Sequence, residues 1–158
     1  MKQLGLDIGS TTLKYVLLDE ENRLLSHSYQ RHGAKIGEKL GEILGRFETD
    51  YPGEDLLLTV SGSAGLGLSE NLALPFVQEV FAEKLAAERF CPGTDVVIEL
   101  GGEDAKILFL TGGFEMRMNG TCAGGTGAFI DQMASLMQIT PLELNDLAAK
   151  AEAVPPIA

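Results

Sequence analysis

The chain has 158 residues, 45% of them hydrophobic, which is enough apolar side chain for one good core or two small ones and too much for a disordered segment. Its 12 Lys and Arg against 23 Asp and Glu leave a formal net charge of −11 with no basic cluster to offset it, which disfavours nucleic acid and anionic membrane as partners. No apolar run approaches bilayer-spanning length and Met1-Lys2-Gln3 leads straight into a strand-like segment, so the expectation is a cytoplasmic protein without a signal peptide. In that compartment Cys91 and Cys122 serve as thiols or ligands rather than as a structural disulfide.

Leu4, Leu6 and Ile8 alternate, Leu13 to Leu18 resumes after a Gly-Ser-Thr turn, and the polar Asp19 to Arg23 returns the chain into Leu24 to Tyr29, giving a three-stranded meander. Asp19-Glu20-Glu21 reads as a solvated turn. Ile36, Leu40, Ile43, Leu44 and Phe47 then recur at helical spacing, while Gly37, Gly41 and Gly45 fall on a neighbouring face and are expected to let the helix approach the sheet closely. The run Asp55 to Val60 predicts a parallel strand buried on both faces. Gly62 to Gly67 reads as a loop, and Val77 to Phe90 as a second helix stopped by Cys91-Pro92-Gly93.

From Asp95 the order begins again. Asp95 to Leu100, Lys106 to Leu110 and Phe114 to Met118 predict three more strands, with Thr111-Gly112-Gly113 as the second turn. The glycine-rich Asn119 to Gly127 opens a helix whose Ile130, Met133, Ala134 and Met137 share one stripe. Met116, Met118, Met133 and Met137 read as apolar filling of a core in preference to the lining of an adaptable docking groove. Thr140-Pro141-Leu142-Glu143 forms a capping box with proline at the first helical position, and a last helix runs to about Ala151. The expected organisation is a first domain over 1–92 and, over 93–158, the N-terminal part of a second in a piece of a longer protein.

The two sets share a motif at their first turn. Leu6-Asp7-Ile8-Gly9-Ser10-Thr11-Thr12-Leu13-Lys14 returns as Ile98-Glu99-Leu100-Gly101-Gly102-Glu103-Asp104-Ala105-Lys106 at a constant offset of 92 residues. Each copy reads as a β-hairpin with an acidic, glycine-bearing tip, and such a tip offers backbone N–H groups and hydroxyls to phosphate oxygens while carboxylates hold Mg²⁺ through water. In that role Asp7 and Asp104 would organise Mg²⁺, and Gly9, Ser10, Thr11, Thr12, Gly101, Gly102 and Glu103 would cradle phosphates with their amides. Lys14 is either a point charge for those phosphates or a solvated strand residue. Glu99 or Glu103 would either orient an attacking water or add a carboxylate to the Mg²⁺ shell.

Cys122 lies among Gly120, Gly124, Gly125 and Gly127 just before a helix. A thiol at the positive end of a helix dipole favours thiolate, the form that ligates metal; the alternative is a small buried residue in a glycine-rich turn. One thiolate cannot hold an iron–sulfur cluster, which ordinarily takes four, so further ligands would come from outside this segment. Cys91 shows no ligand spacing with Cys122 and reads as structural, and His27 and His32 have no ligand partners at metal spacing, so each is a surface or internally satisfied residue.

Taken together, Asp7 to Lys14, Glu99 to Asp104 and Asn119-Gly120-Thr121-Cys122-Ala123-Gly124-Gly125-Thr126-Gly127-Ala128-Phe129 resemble the activators of 2-hydroxyacyl-CoA dehydratases, ATPases of the acetate kinase, sugar kinase, Hsp70 and actin superfamily. The resemblance implies an α/β architecture of ribonuclease-H-like, actin-like ATPase domains, the second an incomplete copy here, clasping ATP or ADP with Mg²⁺. It further implies that Cys122 helps bind one 4Fe-4S cluster shared across a homodimer, and that ATP hydrolysis drives a low-potential electron onto a dehydratase or an aromatic acyl-CoA reductase. The electron donor would be a protein such as ferredoxin or flavodoxin. Asp7, Asp104 and Glu103 are then the catalytic candidates. Glu99 and Glu103 stand where many single-module activators carry Asp and Gln, and with Arg117-Met118-Asn119 they look more like the long, multidomain activase-like branch. The second cluster cysteine and the adenosine motif would follow Ala158, so the chain alone is expected to be inactive. Two other readings are a sugar or acid kinase of the same superfamily, which would not need Cys122, and a non-catalytic ATP-responsive interaction module.

Overall fold

The computed structural model describes residues 1–102, 104–118 and 126–154; Glu103 and Cys122 lie outside the described residues. Backbone contacts divide the chain into two compact units, Met1–Thr94 and Asp95–Ala158.

The first unit opens with three strands, β1 (Lys2–Ile8), β2 (Thr12–Leu18) and β3 (Leu24–Arg31), followed by α1 (Ile36–Asp50), β4 (Leu56–Ser61), α2 (Gly65–Leu72) and α3 (Glu79–Phe90). The sheet order is β3-β2-β1-β4: the meander is antiparallel and β4 adds parallel to β1, with Leu4 opposite Leu58 and Leu6 opposite Val60. Strand alternation sends Leu4, Leu6, Ile8, Leu13, Tyr15 and Leu17 to one face, where they are buried against Ile43 and Phe47 of α1. Ile36, Leu40, Ile43 and Phe47 supply the apolar stripe that docks α1, and the Phe47 ring meets Tyr15 edge-to-face with centroids 5.1 Å apart.

Three expectations change here. Gly37, Gly41 and Gly45 have open space where a Cβ would stand, so they lie on the solvent side of α1 and permit no closer approach. Leu57 is 46% exposed on β4, which sits at the sheet edge among the described strands, so this strand is not buried on both faces along its length. The segment read as a loop over Gly62 to Gly67 is a turn only as far as Ala64, after which α2 begins at Gly65. Two glycines in one helix hide it from propensity, and Gly65 is there because a Cβ would come within 2.7 Å of Val60 Cγ1.

The second unit comprises β5 (Val96–Leu100), β6 (Ala105–Phe109) and β7 (Glu115–Met118), antiparallel in that order, then α4 (Gly127–Leu136) and α5 (Pro141–Ala148). Its buried hydrophobic residues among those described are Leu108 and Ala134. Met116 and Met118 on the edge strand β7, and Met137 at the C-terminal end of α4, are exposed rather than core. The capping box at the start of α5 forms in full: Thr140 Oγ1 accepts from the Glu143 N–H while Glu143 accepts from the Thr140 N–H.

Candidate functional site

The repeated motif folds into two hairpins of identical register. Asp7 stands directly opposite Lys14 across β1 and β2, and Glu99 opposite Lys106 across β5 and β6. Both pairs are closed as ion pairs, Lys14 Nζ to Asp7 Oδ2 at 2.6 Å and Lys106 Nζ to Glu99 Oε2 at 2.9 Å. Period-two alternation makes this unavoidable once the register is set, since the residues flanking each carboxylate point to the other face.

At the first tip Asp7 is half buried. Its Oδ2 takes the Lys14 ammonium, while Oδ1 is buried with no hydrogen-bond partner. Gly62 lies against it. With φ at +93° and a would-be Cβ 2.3 Å from the Ile8 carbonyl oxygen and 2.6 Å from Asp7 Oδ1, only glycine fits there. The adjacent turn is fixed by the Ala64 N–H donating to the Ile8 carbonyl. The loop itself is closed by the Gly9 N–H donating to the Thr12 carbonyl at 2.9 Å, leaving Ser10 exposed, Thr11 half-buried and Thr12 buried. Burial pulls the Lys14 pKa down, but the hydrogen bond and charge of Asp7 outweigh it and hold the ammonium above its ordinary value. The same ammonium lies 5.4 Å from the Tyr29 ring centre. Lys14 is thus no freely solvated strand residue; it is the counter-ion of Asp7.

Beside this tip, between the sheet face that carries Asp7 and helix α3, is a cavity of about 360 Å³ whose walls are largely apolar, with Val16, Val77 and Leu85 among them. Apolar walls do not hold phosphate, so the polar chemistry of this unit stays at the tip.

At the second tip Gly101 leaves no room for a side chain, a Cβ coming within 2.9 Å of the Asp104 carbonyl oxygen. Here the start of α4 docks on the tip: the Gly127 N–H donates to the Gly101 carbonyl at 2.7 Å and the Ala128 N–H to the Gly102 carbonyl at 3.0 Å. Two of the helix's orphan donors are thereby satisfied by the hairpin rather than by a side-chain cap, and Thr126 Oγ1 is fully buried without a hydrogen-bond partner. A Cβ at Gly127 would meet the Gly101 carbonyl at 3.0 Å, so the contact requires glycine or something very close to it.

Of the residues singled out from the sequence, Asp7, Gly9, Ser10, Thr11, Thr12 and Lys14 come together at the first tip, and Gly101, Gly102 and Asp104 at the second. The expectations for Glu103 and Cys122 fall on residues outside those described. Among the described residues no group of three or more His, Cys, Asp and Glu side chains stands close enough to hold a metal ion. Cys91 is the exposed C-cap residue of α3, where its carbonyl accepts from Thr94; its thiol fills no core. Gly62 and His32 went unrecognised as parts of the first tip. A glycine just after a buried strand is a usable signal for close backbone approach, whereas the role of His32 depends on a turn geometry that spacing does not reveal.

A sheet extended by antiparallel hairpins with acidic glycine tips, backed by helices, is the fold of the actin-like ATPases. Over its whole length the chain superimposes on component A of the (R)-2-hydroxyglutaryl-CoA dehydratase of Acidaminococcus fermentans with a TM-score of 0.83 at 26% identity, covering 62% of that chain. It superimposes on the activator of the 2-hydroxyisocaproyl-CoA dehydratase from Clostridium difficile with bound ADPNP with a TM-score of 0.80 at 28% identity, covering 60% of that chain. The chain belongs to the BadF/BadG/BcrA/BcrD ATPase family, whose profile matches residues 4–157. Among curated relatives, the (R)-2-hydroxyglutaryl-CoA dehydratase activating ATPase of A. fermentans is 28% identical over 151 residues, 94% of this chain and 58% of the relative. The 2-hydroxyisocaproyl-CoA dehydratase activator of Clostridioides difficile is 30% identical over 159 residues, 96% of this chain and 58% of the relative. The chain therefore spans about three-fifths of the length of these proteins.

Proposed function

We propose that the protein containing this chain is an ATP-dependent reductive activase, in which ATP hydrolysis is coupled to electron transfer from a 4Fe-4S cluster to a 2-hydroxyacyl-CoA dehydratase or a related acyl-CoA enzyme. The observation that carries this reading is the pair of hairpin tips in the same register, each with a carboxylate ion-paired to the lysine opposite it, with Gly62 packed against the first tip and Gly101 in the second leaving no room for a side chain. Turn chemistry alone gives no reason for a second copy.

The first tip fits a magnesium nucleotide. Asp7 Oδ1 is a buried carboxylate oxygen without a partner, which costs free energy unless a cation or its water takes it up, and Gly62 keeps side-chain atoms away from it. Ser10, Thr11 and Thr12 contribute hydroxyls and amides to phosphate oxygens, and Lys14, positively charged and already oriented, is the point charge beside them. At the second tip Gly101 and Gly102 give amides and Asp104 a carboxylate; Glu103 would orient the water that attacks the terminal phosphate. ATP, when bound, supplies the energy-releasing phosphoryl transfer to water.

Cys122 would be this chain's ligand to the cluster, with the remaining thiolates from the rest of the protein and from a second copy in a homodimer. The residues that follow Cys122 lead into Gly127 and Ala128, whose N–H groups are bonded to the second tip. A displacement of that tip by the nucleotide is thereby passed to the helix that the cysteine segment opens, which supports a coupling of ATP state to the cluster. A ferredoxin or flavodoxin would supply the electron.

The test is anaerobic reconstitution of the full-length protein with iron and sulfide. The expected product is brown and oxygen-labile, is abolished by Cys122→Ser, and hydrolyses ATP without phosphorylating a small molecule. A colourless wild type that phosphorylates a sugar or acid would replace this reading with the kinase.

A further inference from the structure

His32 lies between β3 and α1 and is 5% exposed. Its four polar groups are all engaged. The backbone N–H donates to the Thr11 carbonyl at 3.2 Å, and the backbone carbonyl accepts from the Lys35 N–H at 2.8 Å. Nδ1 accepts from the Ala34 N–H at 3.1 Å, and Nε2 lies 3.1 Å from the Gly9 carbonyl oxygen. A nitrogen that accepts from an amide carries no proton, so the ring is the neutral tautomer with its hydrogen on Nε2, donated to Gly9. That tautomer is enforced by the left-handed pair Gly33 (φ +54°) and Ala34 (φ +63°), which curls the chain so that the Ala34 amide returns to the ring.

The consequence falls on the tip. Every peptide bond of the described chain is trans, so the N–H that follows a carbonyl points in the opposite direction to it. With the Gly9 carbonyl fixed on the buried His32 ring, the N–H of the exposed Ser10 points away from that ring. The second tip makes the same arrangement with a different donor, the Gly101 carbonyl being taken by the Gly127 N–H at 2.7 Å. Two unrelated donors on the equivalent carbonyl mark its orientation as the feature being held.

We propose that His32 is a positioning residue of the first phosphate loop, its Nε2–H locking the Gly9 carbonyl so that the Ser10 amide is presented to a nucleotide phosphate before the nucleotide arrives. This rests on the reading of Gly9 to Thr12 as a phosphate loop. A loop preordered in this way spends less of its binding free energy on conformational ordering, so His32 acts on affinity without touching the ligand.

The experiment uses the full-length protein with fluorescent mant-ADP and Mg²⁺. His32→Leu, which fills the space but donates nothing, is expected to weaken mant-ADP binding on the order of tenfold, the scale of one net hydrogen bond. His32→Gln, whose side-chain amide can donate to Gly9, is expected to recover most of that loss. Ile43→Val, a stability control in the apolar core of the first unit, should lower the thermal midpoint and leave the dissociation constant unchanged. Nitrogen-15 NMR of the wild type should report the Nε2–H tautomer at His32, a readout that needs no variant to fold. Unaltered binding by His32→Leu, an equal loss in Ile43→Val, or an Nδ1–H tautomer overturns the role of His32 while leaving the phosphate loop standing. A wild type that does not bind mant-ADP overturns the loop reading itself, and this inference with it.

Discussion

Leu6 and Ile8 in the first unit correspond, by the repeat, to Ile98 and Leu100 in the second, yet the first two are 2% and 0% exposed and the second two 66% and 53%. The sequence pattern is the same and the hairpin register is the same. What differs is the partner. In the first unit α1 lays Ile43 and Phe47 on that face, while in the second neither α4 nor α5 covers it, and Leu108 on the opposite face is the buried one. Hairpin register is a local property, set by alternation, turn length and one cross-strand ion pair; burial requires an element from elsewhere in the chain.

The largest expected effect tests that contrast directly. Phe47→Ala removes the ring that packs on Tyr15 and should destabilise the first unit by about 3–5 kcal/mol, whereas Ile98→Ala at an exposed position should change stability by only about 0.5 kcal/mol. Denaturant titration of the two variants beside wild type is the measurement. Equal losses would mean that the second sheet's apolar face is as well covered as the first, and the comparison would fail.

Glycines give the next contrast. Gly62→Ala must force a left-handed residue and a clash with the Ile8 carbonyl, and is expected to cost about 1–3 kcal/mol; Gly67→Ala, in the interior of α2 with open space at its Cβ, should stabilise by about 0.5–1 kcal/mol. A Gly62→Ala protein as stable as wild type would show that the backbone around Asp7 yields, and with it the argument for a rigid carboxylate at the tip.

Much of the first tip was legible from the sequence, because Asp7, Gly9 and Lys14 belong to one hairpin and alternation alone places them. The repeat at 92 residues made the second hairpin legible on the same terms. What could not be read is what arrives from a distance. Gly62 approaches Asp7 only because β4 pairs with β1 in parallel, His32 reaches Gly9 only through the left-handed turn at Gly33 and Ala34, and α4 caps the second tip through backbone groups that carry no residue signature. The three solvent-facing glycines of α1 show the converse error, a periodic pattern with no packing role.

The ion pair at the first tip makes a pH-dependent prediction. The Lys14 pKa is raised in the folded state, so its contribution to stability is present below the ordinary value of 10.5 and is lost as pH rises through the raised one. Lys14→Gln should therefore flatten the alkaline limb of the stability profile and leave the neutral-pH fold intact. An unchanged alkaline limb would mean that Asp7 gains nothing from the ammonium.

The smallest effect separates two ways of holding a helix. α1 has no side-chain cap at Lys35 and is held by buried Ile43 and Phe47; α5 buries no residue and is held at its start by Thr140 and Glu143. Hydrogen bonds from the Thr140 amide and hydroxyl keep the Glu143 carboxyl below its ordinary value of 4.5. A depressed carboxyl stabilises the fold above the unfolded value, and that stabilisation disappears as pH falls through the lower, folded one. Amide exchange in the first turn of α5 should accordingly quicken in acid before that of α1 does, and Thr140→Ala should produce the same local loosening at neutral pH, at a cost of about 1 kcal/mol. If the first turn of α5 stays as protected as α1 under acid, tertiary contacts rather than the cap hold it, and the two units are more alike than their buried residues indicate.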